Sequence, residues 1–202
     1  MGNTHSDLVE FLNIVPSTGR AWQTFDDVRL PSGRPRRDRR LANVIFGDFD
    51  QVQQRLRRLN DPGVGAGVFV TANLTDELGR KGANITRLVA IVADIDHGRL
   101  KAFPIESTLL VETSPGRFQA WWVLIPGEEL SVGEHRAIMQ SLVAEYGADP
   151  NAVDVARVYR PPGFWHLKGE PFFVRIVGGS LQLVRHRDLV AAFPPPVQRP
   201  HE

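Results

Sequence analysis

Residues 88–96 read LVAIVADID, an apolar run that ends in two carboxylates. A short apolar run of this kind predicts a buried strand, which we extend to residues 87–96. On a strand, side chains two positions apart lie on the same face, so Asp94 and Asp96 converge beside the sheet. Adjacent carboxylates repel each other unless they bind a cation or shift a pKa, and oxygen-rich pairs suit Mg²⁺ or Mn²⁺. The stretch therefore predicts a metal site, the alternative being a strand that simply ends in a polar turn.

A third carboxylate, Asp154, lies in a stretch where we predict a strand near residues 153–159. Several cationic side chains follow it, namely Arg157, Arg160, His166 and Lys168. A carboxylate followed by cations combines a metal ligand with partners for phosphate groups. This composition indicates a nucleotide site, although a surface strand and turn with basic side chains would have the same composition.

Residues 112–122, ETSPGRFQAWW, combine a tight turn with an apolar strand. Pro115 and Gly116 form the turn, and Ser114 with the free backbone N–H groups of the turn can receive an anion. The alternative is an ordinary hairpin connection that leads into a pair of core aromatic residues.

The composition is that of a globular protein, with 42% hydrophobic and 23% charged residues among 202. There is no cysteine, which excludes disulfide scaffolds, cysteine nucleophiles and thiolate metal sites. The sequence also lacks a bilayer-length apolar run and the start of a secretory signal. We therefore exclude a membrane protein and expect a cytoplasmic location.

Arginine usage is high, because all but three of the 24 basic residues are Arg although the net charge is only +1. Five of these Arg lie within residues 34–40. Phosphate binding and a GC-rich coding sequence both explain such usage. The distribution predicts a basic patch at residues 34–40, where a solvated loop would look the same.

The chain is predicted to form one α+β domain over residues 1–193, followed by a Pro-rich tail or linker over residues 194–202. Strands and helices mix without the strict alternation of a doubly wound sheet. Helices are predicted near 4–15, 48–59, 131–143 and 185–193, and strands near 21–25, 67–72, 87–96, 108–112, 118–124, 153–159 and 172–177, with an irregular loop over 26–40.

The acidic strand, the turn and the third acid, in this order, resemble the archaeo-eukaryotic primase (AEP) superfamily. The resemblance is to its RepB-like primases and primase-polymerases from plasmids and phages. The family pattern is a hydrophobic strand with Asp-x-Asp, then small-x-His, then hydrophobic-Asp, commonly followed by Arg-x-Pro-Gly and a Lys. Here the matching residues are Asp94 and Asp96, Val153-Asp154, Arg160-Pro161-Pro162-Gly163 and Lys168. The resemblance covers roughly residues 8–180.

One position departs from the family pattern. Gln119 stands where the family has the histidine of small-x-His. Glutamine can donate a hydrogen bond to a phosphate oxygen but carries no charge. We expect Arg117, two residues earlier, to supply the missing positive charge.

The resemblance implies an RRM-like antiparallel sheet that carries the active-site acids, with an N-terminal α/β module beside it. It implies template-directed nucleotidyl transfer on single-stranded DNA from NTP or dNTP, with two Mg²⁺ or Mn²⁺ ions held by Asp94, Asp96 and Asp154. The expected nucleotide-binding residues are Ser114, Arg117, Gln119, Arg160 and Lys168, together with Arg157 and His166.

The template backbone is expected to contact exposed arginines in two segments, which are Arg36, Arg37, Arg39 and Arg40, and Arg55, Arg57 and Arg58. Expected partners are a replicative helicase or a C-terminal template-binding domain. Two alternatives remain open at this point: a catalytically silent nucleic-acid-binding module of replication, and a metal-dependent phosphoesterase or nuclease that uses the same acids.

Overall fold

The computed structural model describes residues 4–96 and 100–196, in which four helices surround two four-stranded antiparallel sheets. The helices are α1 (Thr4–Ile14), α2 (Phe49–Leu59), α3 (Val132–Tyr146) and α4 (His186–Ala192). The strands are β1 (Ala21–Asp26), β2 (Asn43–Phe46), β3 (Ala66–Thr71), β4 (Leu74–Thr75), β5 (Ile85–Arg87), β6 (Ala90–Ile95), β7 (Leu109–Ser114), β8 (Arg117–Val123), β9 (Val158–Tyr159), β10 (Trp165–His166), β11 (Phe172–Phe173) and β12 (Arg175–Gly178).

The first sheet has the strand order β2-β1-β3-β9 and forms the N-terminal α/β module with α1 and α2. Trp22 of β1 pairs with Val70 of β3, and Val70 pairs with Tyr159 of β9. These three side chains form a row across the strands and pack into the same core. The apolar face of α2 packs into the same core through Val52 and Leu56. Its arginines point away from the core because the apolar residues repeat at helical spacing.

The second sheet has the order β12-β7-β8-β6 and is covered on both faces. Val92 and Trp121 face the first core, where the Trp121 ring lies edge-on to Phe11 of α1 with centroids 5.3 Å apart. Ile91 and Trp122 face a second core made with α3 and α4. Burial on both faces explains why β6 reads as a continuous apolar run rather than an alternating one. The predicted α+β class with an RRM-like antiparallel sheet is confirmed.

Local signals set the helix ends. Ser131 caps α3 by accepting a hydrogen bond from the Glu134 backbone N–H, while the Glu134 side chain accepts from the Ser131 backbone N–H. Gly147 ends α3 with φ 74°, a left-handed conformation that favours glycine. Each helix in the described part of the chain is too short or too polar to cross a lipid bilayer.

Two predicted strands are shorter than expected. The strand predicted over 87–96 is interrupted, because β5 pairs with β4 and ends at Arg87, whereas β6 begins at Ala90 and pairs with β8. The strand predicted near 153–159 is wrong except for β9. Asp154 lies in a turn instead, where its carboxylate accepts a hydrogen bond from the Ala156 N–H at 3.0 Å. Local side-chain hydrogen bonds of this kind compete with strand formation.

Two elements near the end of the loop predicted over residues 26–40 were not predicted from the sequence. A 3₁₀ turn spans Arg39–Leu41, and β2 follows it and pairs with β1. At the other end of the chain, Phe193 is buried after α4, and the predicted tail begins at Pro194. The rest of that tail, residues 197–202, lies outside the described residues.

Candidate active site

The predicted acid pair lies at the end of β6. Strand pairing places Asp94 directly opposite Gln119 of β8. Burial and the like charge of Asp96 raise the pKa of Asp94 to about 6, against the opposing effects of Arg157 and a hydrogen bond from Gln119. A carboxylate held partly buried beside a second carboxylate is an arrangement that a bound cation stabilises.

Arg117 and Gln119 lie two residues apart on β8, which confirms that this segment is a strand. They therefore lie on one face of the sheet but at different depths, because Gln119 is buried and Arg117 is exposed. The Arg117 guanidinium is 3.6 Å from the Asp96 carboxylate. The positive charge expected to replace the family histidine thus lies beside the acids.

A cleft of about 350 Å³ brings together four of the predicted nucleotide-binding residues, Ser114, Arg117, His166 and Lys168. The turn between β7 and β8 forms one wall, where Gly116 adopts φ 73° and donates its N–H to Glu112 at 3.2 Å. Arg29, from the loop predicted over residues 26–40, also lines the cleft. The cleft is cationic and opens next to Asp96, whose charge acts on Lys168.

Three predicted nucleotide-binding residues have a buried polar atom without a hydrogen-bond partner among the described residues. These atoms are Gln119 Oε1, Arg160 Nη1 and His166 Nε2. Buried polar groups in folded proteins are nearly always satisfied, so such atoms call for an explanation. Of these three residues, His166 is the one that also lines the cleft.

Arg160 has a structural role that the sequence did not indicate. It forms a buried ion pair with Asp27 at 2.8 Å, and its guanidinium lies 4.4 Å from the centroid of the Phe69 ring. The second carboxylate oxygen of Asp27 accepts the Leu167 N–H at 2.9 Å. Burial raises the pKa of Asp27, but the charge and hydrogen bond of Arg160 outweigh it, so the pKa is lowered. Asp27 thereby fixes the segment that carries His166 and Lys168.

Two further acids, Asp149 and Asp154, lie near the acid pair and its neighbours. The Asp149 backbone N–H donates to the Asp94 carbonyl at 2.9 Å, and the charge of Asp149 contributes to the raised pKa of Asp94. Asp154 instead lies near His135, whose pKa burial lowers to about 4 while Asp154 opposes the shift. Arg157 lies between these acids, 3.6 Å from the Asp149 carboxylate. The structure thus brings Asp149 beside the acid pair, and Asp94, Asp149 and Asp154 all act on the pKa of the buried Tyr159, which is raised mainly by burial.

The donor set fits a divalent cation in part. Asp94 and Asp96 provide hard oxygen ligands from one strand end, with Asp149 attached to the same strand through its backbone. Within residues 4–96 and 100–196, no three His, Asp or Glu side chains are arranged to hold a metal ion by themselves. Substrate phosphate oxygens commonly complete the coordination of Mg²⁺ in such sites.

Some of the arginines predicted to contact template bind other side chains of the domain, and the others take part in no such pair within residues 4–96 and 100–196. Arg36 pairs with Asp26 at 2.9 Å, and Arg40 pairs with Asp38 at 2.7 Å. Arg55 donates to the Asn43 side chain at 3.2 Å. The other four, Arg37, Arg39, Arg57 and Arg58, are exposed. Their contact with nucleic acid stays a prediction.

Sequence reasoning missed Asp27, Arg29 and Asp149 as site residues. Asp149 precedes Pro150 and caps a 3₁₀ turn by accepting a hydrogen bond from the Asn151 N–H. The Asp-Pro pair in the sequence predicts such a turn, but it does not predict a metal-binding role for the carboxylate. Arg29 lines the cleft and Asp27 supports it through Arg160 and Leu167, and both roles depend on contacts distant in the chain.

Solved structures that are similar to this chain include primases and primase catalytic domains. The AEP domain of the cyanophage S-2L primase-polymerase superposes with a TM-score of 0.69 at 16% identity, covering 94% of this chain and 98% of that domain. The catalytic domain of primase RepB′, solved in complex with initiator DNA, gives a TM-score of 0.65 at 20% identity and covers 94% and 93%. Another RepB′ structure gives 0.67 at 18% identity, over 94% of this chain and 61% of that one. The chain therefore has the AEP fold, as the sequence resemblance predicted.

The family follows from the sequence. The model of the RepB DNA-primase N-terminal domain matches residues 81–188, which is more than half of the chain. The chain belongs to this family. Mobilization protein A of Escherichia coli is 37% identical over 82 residues, which are 40% of this chain and 11% of that protein. The matched segment thus spans about a tenth of the length of that relative.

Proposed function

We propose that this domain is a DNA primase or primase-polymerase that adds nucleotides to a strand under the direction of a single-stranded template. The observation that carries the proposal is the position of the cationic cleft beside the acid pair, where Arg117 bridges the two at 3.6 Å from Asp96. Nucleotidyl transfer needs phosphate-binding cations and metal-binding carboxylates side by side. Membership of the primase family supports the same reaction.

The cleft residues would bind the incoming triphosphate through both charged and neutral contacts. Arg29, Arg117 and Lys168 supply positive charge, and the Ser114 hydroxyl supplies a neutral donor, whereas the Gly116 N–H of the expected anion-binding turn is engaged by Glu112. Gln119 lies deeper, opposite Asp94, where its side chain can orient the group nearest to the acids. The sequence predicts that Arg160 binds nucleotide, but this residue is buried and supports the arrangement from behind through Asp27.

Asp94 and Asp96 are the residues that would hold a divalent cation, Mg²⁺ or Mn²⁺, with a second ion expected from the family resemblance. Such cations neutralise charge on the α-phosphate and the leaving pyrophosphate and activate the 3′-hydroxyl. We assign the third carboxylate to Asp149, because its backbone is bonded to Asp94, and retain Asp154 as the alternative from the sequence pattern. Arg157 lies close enough to affect Asp94 and is better placed to orient these acids than to bind the far end of the triphosphate.

Template binding is assigned to the exposed arginines of the loop over 34–40 and of α2. RepB′ has been solved with initiator DNA bound to its catalytic domain, which supports DNA as the ligand of this fold here too. Contacts to phosphates predict salt-sensitive binding without sequence preference. The setting we propose is plasmid or phage replication, with a helicase or a C-terminal template-binding domain as predicted partner.

The test is a primer-extension assay on single-stranded template with labelled nucleotides and Mg²⁺ or Mn²⁺, with products resolved by length. We expect Asp94→Asn and Asp96→Asn to abolish extension, and Asp149→Asn to reduce it far more than Asp154→Asn. The matched control is Glu145→Gln, an exposed acid on α3 whose side chain is away from the cleft. It should extend like the unaltered domain.

The products separate the proposal from its alternatives. Longer strands support nucleotidyl transfer, whereas release of monophosphates from DNA would indicate a nuclease or phosphoesterase. Template binding that is independent of metal, with no product of either kind, would indicate a silent binding module. Equal loss of extension in Asp154→Asn and Asp149→Asn would refute our choice of third acid.

A further inference from the structure

Arg20 is a buried cation without an acidic partner. The residue lies directly before β1 and is 2% exposed. Its Nε donates to the Pro16 carbonyl at 2.8 Å, and its Nη1 donates to the carbonyls of Thr71 and Ala72. Burial lowers the pKa of Arg20 to about 10, and no acid within residues 4–96 and 100–196 opposes this effect. The guanidinium is therefore charged at neutral pH, although only backbone carbonyls compensate its charge in this part of the chain.

The guanidinium of Arg20 also has an unused hydrogen-bond donor. Ionised groups in protein interiors are usually paired with an opposite charge, because their removal from water is costly. Among the residues that the structure describes, the third nitrogen of Arg20, Nη2, makes no hydrogen bond. It is also not one of the fully enclosed polar atoms that lack a partner, so it keeps some access to solvent. Nη2 can therefore donate to a ligand.

Arg20 lines a cavity of about 260 Å³ that lies outside the active site. The cavity is bounded by the end of α1, by β4 and by the segment that follows β8. Its walls are mainly apolar, and they include Ile14, Leu74, Ile125 and Leu183. Arg87 lies at the cavity as well, but its guanidinium pairs with Glu129. No described residue lines both this cavity and the active-site cleft.

An apolar cavity with one unpaired cation favours a ligand that has a carboxylate beside an apolar group. A carboxylate would form a charge-assisted hydrogen bond with Nη2 and compensate the buried charge. An apolar group would remove the cavity walls from water. Pockets for drug-sized ligands enclose about 300–1,000 Å³, so this slightly smaller cavity suits a single amino-acid residue.

The C-terminal residue of a protein has this combination, because its carboxylate and its side chain are attached to the same Cα atom. Within a chain, the two groups would come from different residues, and both would have to turn toward one cavity. Capture of a C-terminal carboxylate is a recurring mode of peptide recognition. A nucleic-acid strand fits less well, because its phosphates need several free cations along a groove, whereas Arg87 is paired and the walls are apolar.

We propose that this cavity binds the C-terminal residue of a partner protein, with the carboxylate on Arg20 and an apolar side chain such as that of Leu or Phe against the walls. Binding is non-covalent and leaves the active-site cleft free for substrate. The inference does not depend on the proposed reaction, since it uses none of the residues assigned to it. It gives the domain a docking point for a second protein.

The experiment titrates the domain with the peptides Gly-Ser-Gly-Ser-Leu and Gly-Ser-Gly-Ser-Phe, each with a free C-terminal carboxylate, and follows backbone ¹H–¹⁵N NMR signals. We expect saturable shifts at Leu74, Ile125 and Gly127, and unchanged signals at Ser114 and Arg117 in the active-site cleft. The same peptides with a C-terminal amide should bind at least about tenfold more weakly, because the amide carries no charge. A peptide ending in Ser should also bind at least about tenfold more weakly, because it lacks the apolar group.

Variants at the rim test the cavity without disturbing the core, whereas replacement of Arg20 would leave three backbone carbonyls without their donor. Leu183→Glu places a carboxylate at the cavity and should weaken binding of the Leu peptide by at least about tenfold. Leu181→Glu is the matched control, because it changes the same residue type two positions earlier and outside the cavity lining. The two leucines are similarly exposed, at 37% and 40%. The control should bind the peptide like the unaltered domain.

Several results would overturn the proposal. They are the absence of binding by both peptides, equal binding of carboxylate and amide forms, shifts located away from the cavity, and unchanged binding in Leu183→Glu. Octanoate, which has a carboxylate and an alkyl chain but no peptide, is the comparison for a small-molecule ligand. Tighter binding of octanoate than of either peptide would overturn the assignment to a protein C-terminus. Displacement of the peptide by a single-stranded oligonucleotide would do the same in favour of nucleic acid.

Discussion

Asp27→Asn should be among the most destabilising single substitutions in this domain, although Asp27 is no expected substrate ligand. Its side chain is 1% exposed and that of Arg160 is 7% exposed, with 2.8 Å between the charged atoms. Removing one partner of such a pair leaves a buried charge without compensation and costs about 3–5 kcal/mol. Asparagine keeps one acceptor oxygen, so one of the two hydrogen bonds to Arg160 and Leu167 can persist. We therefore expect a loss of about 3 kcal/mol in the free energy of unfolding.

The assay is urea unfolding followed by tryptophan fluorescence, for which the buried Trp22, Trp121 and Trp122 are suitable reporters. A loss of about 3 kcal/mol corresponds to a decrease of roughly 6–12 °C in Tm for a domain of this size. The control is Glu112→Gln, which breaks the Arg175–Glu112 pair at 2.7 Å, where the arginine side chain is 56% exposed. Exposed pairs contribute up to about 1 kcal/mol.

The same pair predicts a pH dependence with a definite sign. The folded-state pKa of Asp27 is lowered, so its contribution to stability is present above the unfolded pKa of about 3.9 and is lost as pH falls through the lower folded value. The stability difference between the unaltered domain and Asp27→Asn should therefore shrink below about pH 4. A variant within about 1 kcal/mol of the unaltered domain at pH 7, or a difference that grows with acid, would refute the assignment of a buried ion pair.

Further substitutions probe the packing and the charge of the site. Gly67→Ala should lower the free energy of unfolding by about 1–3 kcal/mol in the same urea assay, because an added Cβ would lie 2.8 Å from Asp27 and 2.9 Å from Arg160. Its control is Gly82→Ala, where an added Cβ meets nothing within 4 Å and stability should be nearly unchanged. In steady-state extension, Arg117→Ala should raise the nucleotide KM by about tenfold or more, and Gln119→Ala should raise it less, because charge-assisted contacts are worth about 1.5–3 kcal/mol and neutral ones about 1. Normal binding by Arg117→Ala together with failure of Gln119→Ala would make Gln119 the principal phosphate ligand.

The acid pair and its strand could be predicted from sequence because the information is local. The apolar run over 88–93 needs burial on both faces, and side-chain alternation then places Asp94 and Asp96 on one face. The turn at Pro115 and Gly116 is equally local, and the strand after it brings Gln119 opposite Asp94. Strands and turns of this kind can be predicted from residue types and from the spacing of apolar residues along the chain.

The roles of the other charged residues could not be predicted, because contacts distant in the chain decide them. Arg160 and Lys168 look alike as cations in one basic stretch, yet 133 residues separate Arg160 from its partner Asp27. Asp149 and Asp154 both precede turn residues, and only the fold shows that the first is bonded to β6. No periodicity in the sequence encodes such pairings.

Burial separates the charges that hold the cleft together from those available to a substrate. The ion pair of Arg160 with Asp27 is dry, so it fixes the segment carrying His166 and Lys168 and contributes little net charge to the cleft. Arg117 lies 3.6 Å from Asp96 at an exposed position, where a pair is weak and exchanges partners readily. Under the proposed function, an incoming triphosphate with its cation would replace both partners at once, the phosphates binding Arg117 and the cation binding Asp96. The weakness of this surface pair would keep the energetic cost of that exchange low.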